Sequence, residues 1–215
     1  LAGHGLSPAA GRSTTVGANR RLLDRFIAEV AGEPVVLVGN SMGGMISILE
    51  AAASPDQVLG VVLVDPALPR PLLSRGDARV AVQFAVMALP LLGEAVYLRR
   101  RARRSAEEQI RQALKLCTVD VDRVPDEVIA AAVGVVRQRD NDLFPPADVI
   151  VAGRSVVRRV SSAPQLRRAM AAVVAPVLVL HGAKDRLVPV AAARQAARAF
   201  PAWRLDVAAD VGHVP

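Results

Sequence analysis

Val35-Val36-Leu37-Val38-Gly39-Asn40-Ser41-Met42-Gly43-Gly44 runs from a short apolar segment straight into Gly-x-Ser-x-Gly, and a helical pattern follows from Met45 to Ala53. That order predicts a strand, a tight turn and a helix. Such a turn lifts a serine hydroxyl to the carboxyl edge of a sheet and aims a helix N-terminus at it. Gly and Ser are common enough that a bare Gly-x-Ser-x-Gly says little; the flanking strand and helix make it specific. The turn forces Ser41 into a strained backbone conformation, and Gly39 and Gly43 remove side chains where strand and helix crowd it. The competing reading is a glycine-rich surface turn.

Working outward, Thr15 to Ala31 carries helical spacing at Leu22, Leu23, Phe26, Ile27 and Val30, and Gly32 and Pro34 end it. Val35 to Val38 is a continuous apolar run, as expected of a strand covered on both faces. Met42 to Ala53 reads as a helix closed by Ser54-Pro55. Further strands are predicted at Val58–Val64, Val177–Leu180 and Trp203–Val207, with a helix from Pro189-Val190 to Phe200. Strands alternating with helices predict a parallel sheet built from right-handed crossovers. The fold class is therefore α/β: a partial doubly wound, mostly parallel sheet of about four strands flanked by helices, with a helical insertion. Residues 1–67 and 160–215 form the expected core. Residues 68–159 hold the insertion, at the place where sheet enzymes carry lids. Within it Val80 to Leu98 is apolar but interrupted by Pro90 and Gly93, Arg99 to Leu116 reads as one basic helix, and Val128 to Arg139 as another.

A length of 215 residues suits one domain with a real core and an insertion. The formal charge of +7 rests almost wholly on arginine, since Lys115 and Lys184 are the only lysines. The arginines are scattered over several predicted helices, without aromatic interleaving or a recognition motif, which argues against nucleic-acid binding. Cys117 stands alone, so no internal disulfide can form. The longest uncharged run, Val80 to Gly93, falls short of the roughly 20 apolar residues of a membrane span. A cytoplasmic location and no membrane association are the expectations. The chain opens at Leu1, and a missing beginning would hide a signal peptide.

A serine hydroxyl needs a base, and the base needs an orienting carboxylate. The histidines are His4, His181 and His213. His213 follows the fourth strand in Asp210-Val211-Gly212-His213, at the sheet edge expected to hold Ser41, and is the best base. His181 ends a buried strand and is expected to hydrogen-bond locally, and His4 lies in a glycine-flanked loop. The acid is read as Asp185, just past the third strand and about 28 residues before His213. Its alternatives are a helix cap or a salt bridge to Arg186. Asp65, which also ends a strand, is the second candidate acid. Either choice gives the chain order Ser, Asp, His.

These motifs together resemble the α/β-hydrolase fold family. The resemblance rests on Leu1-Ala-Gly-His-Gly-Leu-Ser7, the elbow Gly39 to Gly44, Val64-Asp65-Pro66, the segment His181 to Pro189, and Gly212-His213. It implies that Ser41 attacks a carbonyl carbon, that His213 moves the proton, and that Asp185 holds the imidazole tautomer. It also implies that the Met42 backbone N–H stabilises the oxyanion, a donor worth about 3 kcal/mol. The family's opening strands, the loop supplying a second oxyanion donor and the usual final helix are not found, so the chain reads as a fragment truncated at both ends.

Asn40, Phe84, Met87 and Tyr97, with Leu89 and Leu92, are candidates for substrate contact in an apolar cavity. The alternative is that the insertion residues pack the lid onto the core. Arg99 to Arg104 reads as a solvated helix face, with contact to an anionic substrate or a membrane surface as the alternative. The resulting expectation is a serine esterase for a small to medium apolar carboxylic ester, without cofactor or metal. Carbon–carbon bond hydrolysis, cofactor-free peroxidase chemistry and acyl transfer are alternatives on the same fold. An inert fragment or binding protein is an alternative of another class.

Overall fold

The computed structural model describes residues 1–69, 77–139 and 144–214, with the side chains of residues 79, 81, 83 and 84 outside that description. Four parallel strands form one sheet: β1 (Val35–Asn40), β2 (Val58–Val64), β3 (Val177–Gly182) and β4 (Arg204–Ala208), in the spatial order β1-β2-β3-β4. The flanking core helices are α1 (Val16–Phe26), α2 (Met42–Ala53), α8 (Ala163–Ala171) and α9 (Val190–Ala199). Between β2 and α8 lie α3 (Ala78–Ala88), α4 (Leu92–Ala102), α5 (Ala106–Cys117), α6 (Asp126–Gln138) and α7 (Pro146–Ser161).

The strand order has a direct consequence. Each described crossover advances one place in the same sense, and right-handed crossovers then put the connecting helices on one side of the sheet. The core accordingly sits on that face. Leu37, Val61, Leu63 and Val179 meet Met45, Ile46, Ile48, Ala192 and Ala193, all buried. The reading of Val35–Val38 as covered on both faces does not match: burial alternates along β1, with Val36 57% and Val38 71% exposed on the side away from α2. An apolar run fixes a strand, but not how many of its faces are packed.

Helix boundaries follow local chemistry. Thr15 caps α1 by accepting from the Ala18 N–H, and the helix loosens into a π turn over Ile27–Ala31 that stops at Gly32, where φ is 68°. The predicted single helix from Arg99 to Leu116 is two helices. Ser105 accepts from the Glu108 N–H while Glu108 accepts from the Ser105 N–H, a capping box that starts α5 afresh after α4 has ended. Its Ser-x-x-Glu signature was in the sequence, masked by the basic run. Arg111 pairs with Glu107 one turn away at 3.0 Å, as their spacing predicts.

The glycines of the elbow divide their roles differently from the expected pair. A Cβ on Gly39 would lie 2.5 Å from the Gly43 carbonyl, and one on Gly44 would lie 2.9 Å from Pro66, whereas one on Gly43 meets nothing within 4 Å. Crowding is thus relieved by Gly39 and Gly44. Gly39→Ala is expected to destabilise the fold by about 2 kcal/mol or more, through overpacking against backbone that cannot yield. Gly43→Ala should stay within about 1 kcal/mol of the parent, since alanine is the better helix former. Urea unfolding of the two variants checks this; equal losses would contradict it.

Candidate active site

Ser41 stands where β1 ends and α2 begins, with φ 53° and ψ −114°. A non-glycine residue held there costs on the order of 1–3 kcal/mol and persists only if its surroundings over-determine it. They do: its N–H donates to the Val64 carbonyl at 3.0 Å, and its carbonyl accepts from the N–H groups of Ala67 at 3.0 Å and Met45 at 3.2 Å. The elbow is thereby tied to the end of β2. The Ser41 hydroxyl makes no helix-capping bond. Met42 occupies the first helical position, where an N–H has no intrahelical acceptor and is free to face an anion.

His213 is brought to the same rim from the other end of the chain. Its Nδ1 lies 2.8 Å from Asp185 Oδ2, and its side chain is almost fully buried. Asp185 Oδ1 accepts from the Leu187 and Val188 N–H groups at 2.8 and 2.9 Å, which orients the carboxylate. With Nδ1–H directed at Asp185, Nε2 is the His213 nitrogen left to accept and return a proton. Ser41 and His213 line one cavity of about 350 Å³ whose other walls are aliphatic except for Ser161: Ala67, Leu68, Ala85, Ala88, Val156, Val157, Val160, Leu187 and Val188.

The remaining candidates are placed as follows. Asp65, the second candidate acid, is fully buried with φ 43°, and its Oδ1 accepts from the Gly182 N–H at 2.8 Å while Oδ2 has no hydrogen-bond partner among the described residues. Burial pushes its carboxyl up to about 7. His181 hydrogen-bonds locally, Nε2 to the Val188 carbonyl at 2.9 Å, and burial lowers its pKa. His4 lies in the N-terminal loop against the Ala2 carbonyl. Asp65, Asp185 and His213 bring potential metal-ligating atoms within 4.8 Å of one another. An ion there would have to displace the bond between Asp185 and His213.

Asn40 is a strut and not a cavity wall: its amide donates to the carbonyls of Val64 at 3.2 Å and His213 at 3.1 Å, holding the His213 loop to the elbow. Met87 and Tyr97 line a separate cleft of about 370 Å³ with Val96, Ile110, Ala113 and Leu116, away from Ser41 and His213. The Phe84 side chain lies outside the described residues. Leu89 and Leu92 are about half exposed. A larger cleft, about 580 Å³, opens between Leu98, Arg104, Gln109 and Arg137 and holds none of the candidate catalytic groups.

Cys117, Gly182 and Gly212 hold the His213 loop, a role the sequence did not give them. The His213 and Val214 N–H groups both donate to the Cys117 carbonyl at the end of α5, at 2.6 and 3.1 Å. A Cβ on Gly212 would lie 2.4 Å from that carbonyl, and a Cβ on Gly182 would lie 2.0 Å from the Gly212 oxygen. The insertion therefore fixes the height of the His213 loop. Gly182 and Gly212 stood beside the quoted histidines, but a carbonyl contact to Cys117 leaves no trace in residue type.

Asp65 gives a pH signature. Between its usual value of 3.8 and the folded value of about 7, the folded chain keeps a proton that the unfolded chain has lost. The stability contributed by protonated Asp65 is thus complete below 3.8 and is lost as pH rises through about 7. Asp65→Asn, which still accepts from Gly182 and cannot ionise, is expected to flatten the decline in melting temperature between roughly pH 5 and pH 8. Thermal melts across that range check this, and parallel slopes for parent and variant would refute it.

A sequence model of the alpha/beta hydrolase family matches residues 1–215. Among curated proteins, lipase LipV of Mycobacterium tuberculosis is 46% identical over 68 residues, which is 32% of this chain and 26% of LipV. Among solved structures, a putative ancestral haloalkane dehalogenase superposes with TM-score 0.77 at 21% identity, covering 99% of this chain and 73% of that one. A putative lipase of Acinetobacter baumannii gives TM-score 0.69 at 18% identity, covering 95% and 63%. At these identities the structural likeness is one of fold. The chain spans about a quarter of the length of LipV and under two thirds of the Acinetobacter lipase.

Proposed function

This chain belongs to the α/β-hydrolase family, and on that footing we propose that Ser41, His213 and Asp185 act as nucleophile, base and orienting acid in ester hydrolysis through an acyl-enzyme. The observation that carries the reading is the 2.8 Å bond from His213 Nδ1 to Asp185, made at the rim of the cavity that Ser41 also lines. His213 Nε2 takes the Ser41 proton as the hydroxyl attacks the carbonyl carbon, and returns it to the leaving alcohol. Water then enters by the same route and releases the acid. The Met42 N–H, at the N-terminus of α2, stabilises the oxyanion.

The cavity suits a small to medium aliphatic acyl group. Its walls offer methyl and methylene surface, and Ala85 and Ala88 of α3 close it from the insertion. We read residues 68–159 as the lid of this site. The family membership and the lipase relative favour an ester over the other chemistries of the fold.

A fluorophosphonate probe tests the reading. The full-length protein is expected to be labelled at Ser41, and Ser41→Ala should abolish both labelling and hydrolysis of a short aliphatic p-nitrophenyl ester. Asp185→Asn should fold and bind but lose about four orders of magnitude in kcat, because the imidazole then favours the wrong tautomer. A folded parent that resists the probe, or a Ser41→Ala variant that keeps its rate, would overturn the assignment.

A further inference from the structure

α7 turns two different faces to its surroundings. Val156, Val157 and Val160 line the Ser41 cavity. Ser155, Arg158, Arg159 and Ser162 recur at steps of three and four on the opposite face. They line a second cleft, of about 450 Å³, against the start of α1. Catalysis at Ser41 uses none of these residues.

The chemistry of this second cleft is one-sided. Its side chains belong to Thr15, Ser155, Ser162, Gln165, Arg158 and Arg159, and neither a carboxylate nor an apolar side chain lines it. Gly17 also borders it. A Cβ on Gly17 would lie 3.7 Å from Arg159 Nη2 and 3.9 Å from Arg21 Nη1, so two guanidinium groups converge on one point. Among the described residues Arg21, Arg158 and Arg159 make no ion pair.

That pattern departs from the solvated arginines elsewhere on the surface. Arg25 answers Glu29 one turn away, and Arg111 answers Glu107. No acid stands three or four residues from Arg158 or Arg159; Ser155 and Ser162 stand there instead. Cations gathered without a counter-charge repel one another, and an anion from outside relieves the repulsion.

The hydroxyls point to the same kind of ligand. Ser155 Oγ already accepts from the Val16 N–H at 3.0 Å, which leaves its O–H to donate. A phosphate dianion only accepts, and its oxygens match the arginine fork in pairs. The cleft has room for more than a phosphate, and the rest of its lining is hydroxyl and amide, not hydrocarbon. Such walls suit a phosphate carried on a polyol, not one carried on acyl chains.

We propose that the cleft between α1 and α7 binds a soluble phosphorylated polyol, with Arg21, Arg158 and Arg159 on the phosphate and Ser155, Ser162 and Gln165 on the polyol hydroxyls. α7 separates this site from the Ser41 cavity, so the ligand is not the hydrolytic substrate.

Isothermal titration of the full-length protein with glucose 6-phosphate, inorganic phosphate and glucose tests this independently of Ser41 chemistry. Glucose 6-phosphate is expected to bind with a Kd of about 1 mM or below, inorganic phosphate more weakly and glucose not at all. Arg158→Gln and Arg159→Gln should each weaken glucose 6-phosphate about tenfold, and added salt should weaken its binding to the parent. Arg159→Lys, which keeps the charge and loses the fork, should fall between parent and Arg159→Gln. Neither arginine makes an ion pair, so circular dichroism and the ligand-free melting temperature should match the parent. Three outcomes would overturn the proposal: no heat from either phosphate compound at roughly ten times that concentration, binding unchanged in both glutamine variants, or capture by phosphatidic acid vesicles while neither soluble phosphate binds.

Discussion

The hydrogen bond between His213 Nδ1 and Asp185 is the contact on which the rim of this molecule depends. A buried carboxylate is tolerable only if its oxygens are satisfied. Asp185 meets that condition with two backbone N–H groups on one oxygen and the imidazole on the other. The imidazole must therefore sit at one height and one orientation. Neighbouring contacts serve that end: Asn40 grips the His213 carbonyl, Cys117 receives the His213 N–H, and Gly182 and Gly212 allow backbones to touch where any side chain would intrude.

Behind this bond lies a denser cluster than one serine site needs. Asp65 is within 4.8 Å of Asp185 and His213, and His181 Nε2 stands 3.6 Å from Asp65 and 3.5 Å from Asp185. Two carboxylates and two imidazoles in so little water cannot all be charged at once. Burial raises Asp65 toward neutrality and lowers His181. Burial thus favours the uncharged forms of Asp65 and His181, which stand behind the pair at the cavity edge.

The insertion meets the rest of the molecule in more than one place. One face, through Cys117 and through Ala85 and Ala88, sets the His213 loop and closes the cavity. The turn between α3 and α4 is braced by Arg154, which donates to the Met87 and Leu89 carbonyls. Both follow from short helices joined by tight turns, whose ends are fixed by the Ser105–Glu108 capping box and by the Arg154–Glu94 pair.

Sequence by itself determined the strands, their parallel sense and the elbow, because each is written in local order: an apolar run, a glycine pair around Ser41, a helical period after it. It also put Asp185 and His213 after strands that end at the same sheet edge, where the structure brings them to 2.8 Å. It could not show that Gly44, and not Gly43, relieves the crowding at Pro66, nor that β1 is packed on one face, nor that Asn40 serves as a strut. It ran the end of α4 into α5 as one helix because a run of arginines hid a cap. Those facts depend on which distant backbone comes within 3 Å of which Cβ, and on which face of a helix finds a neighbour. Only tertiary structure decides such matters, because they are set by the packing of segments far apart in the chain.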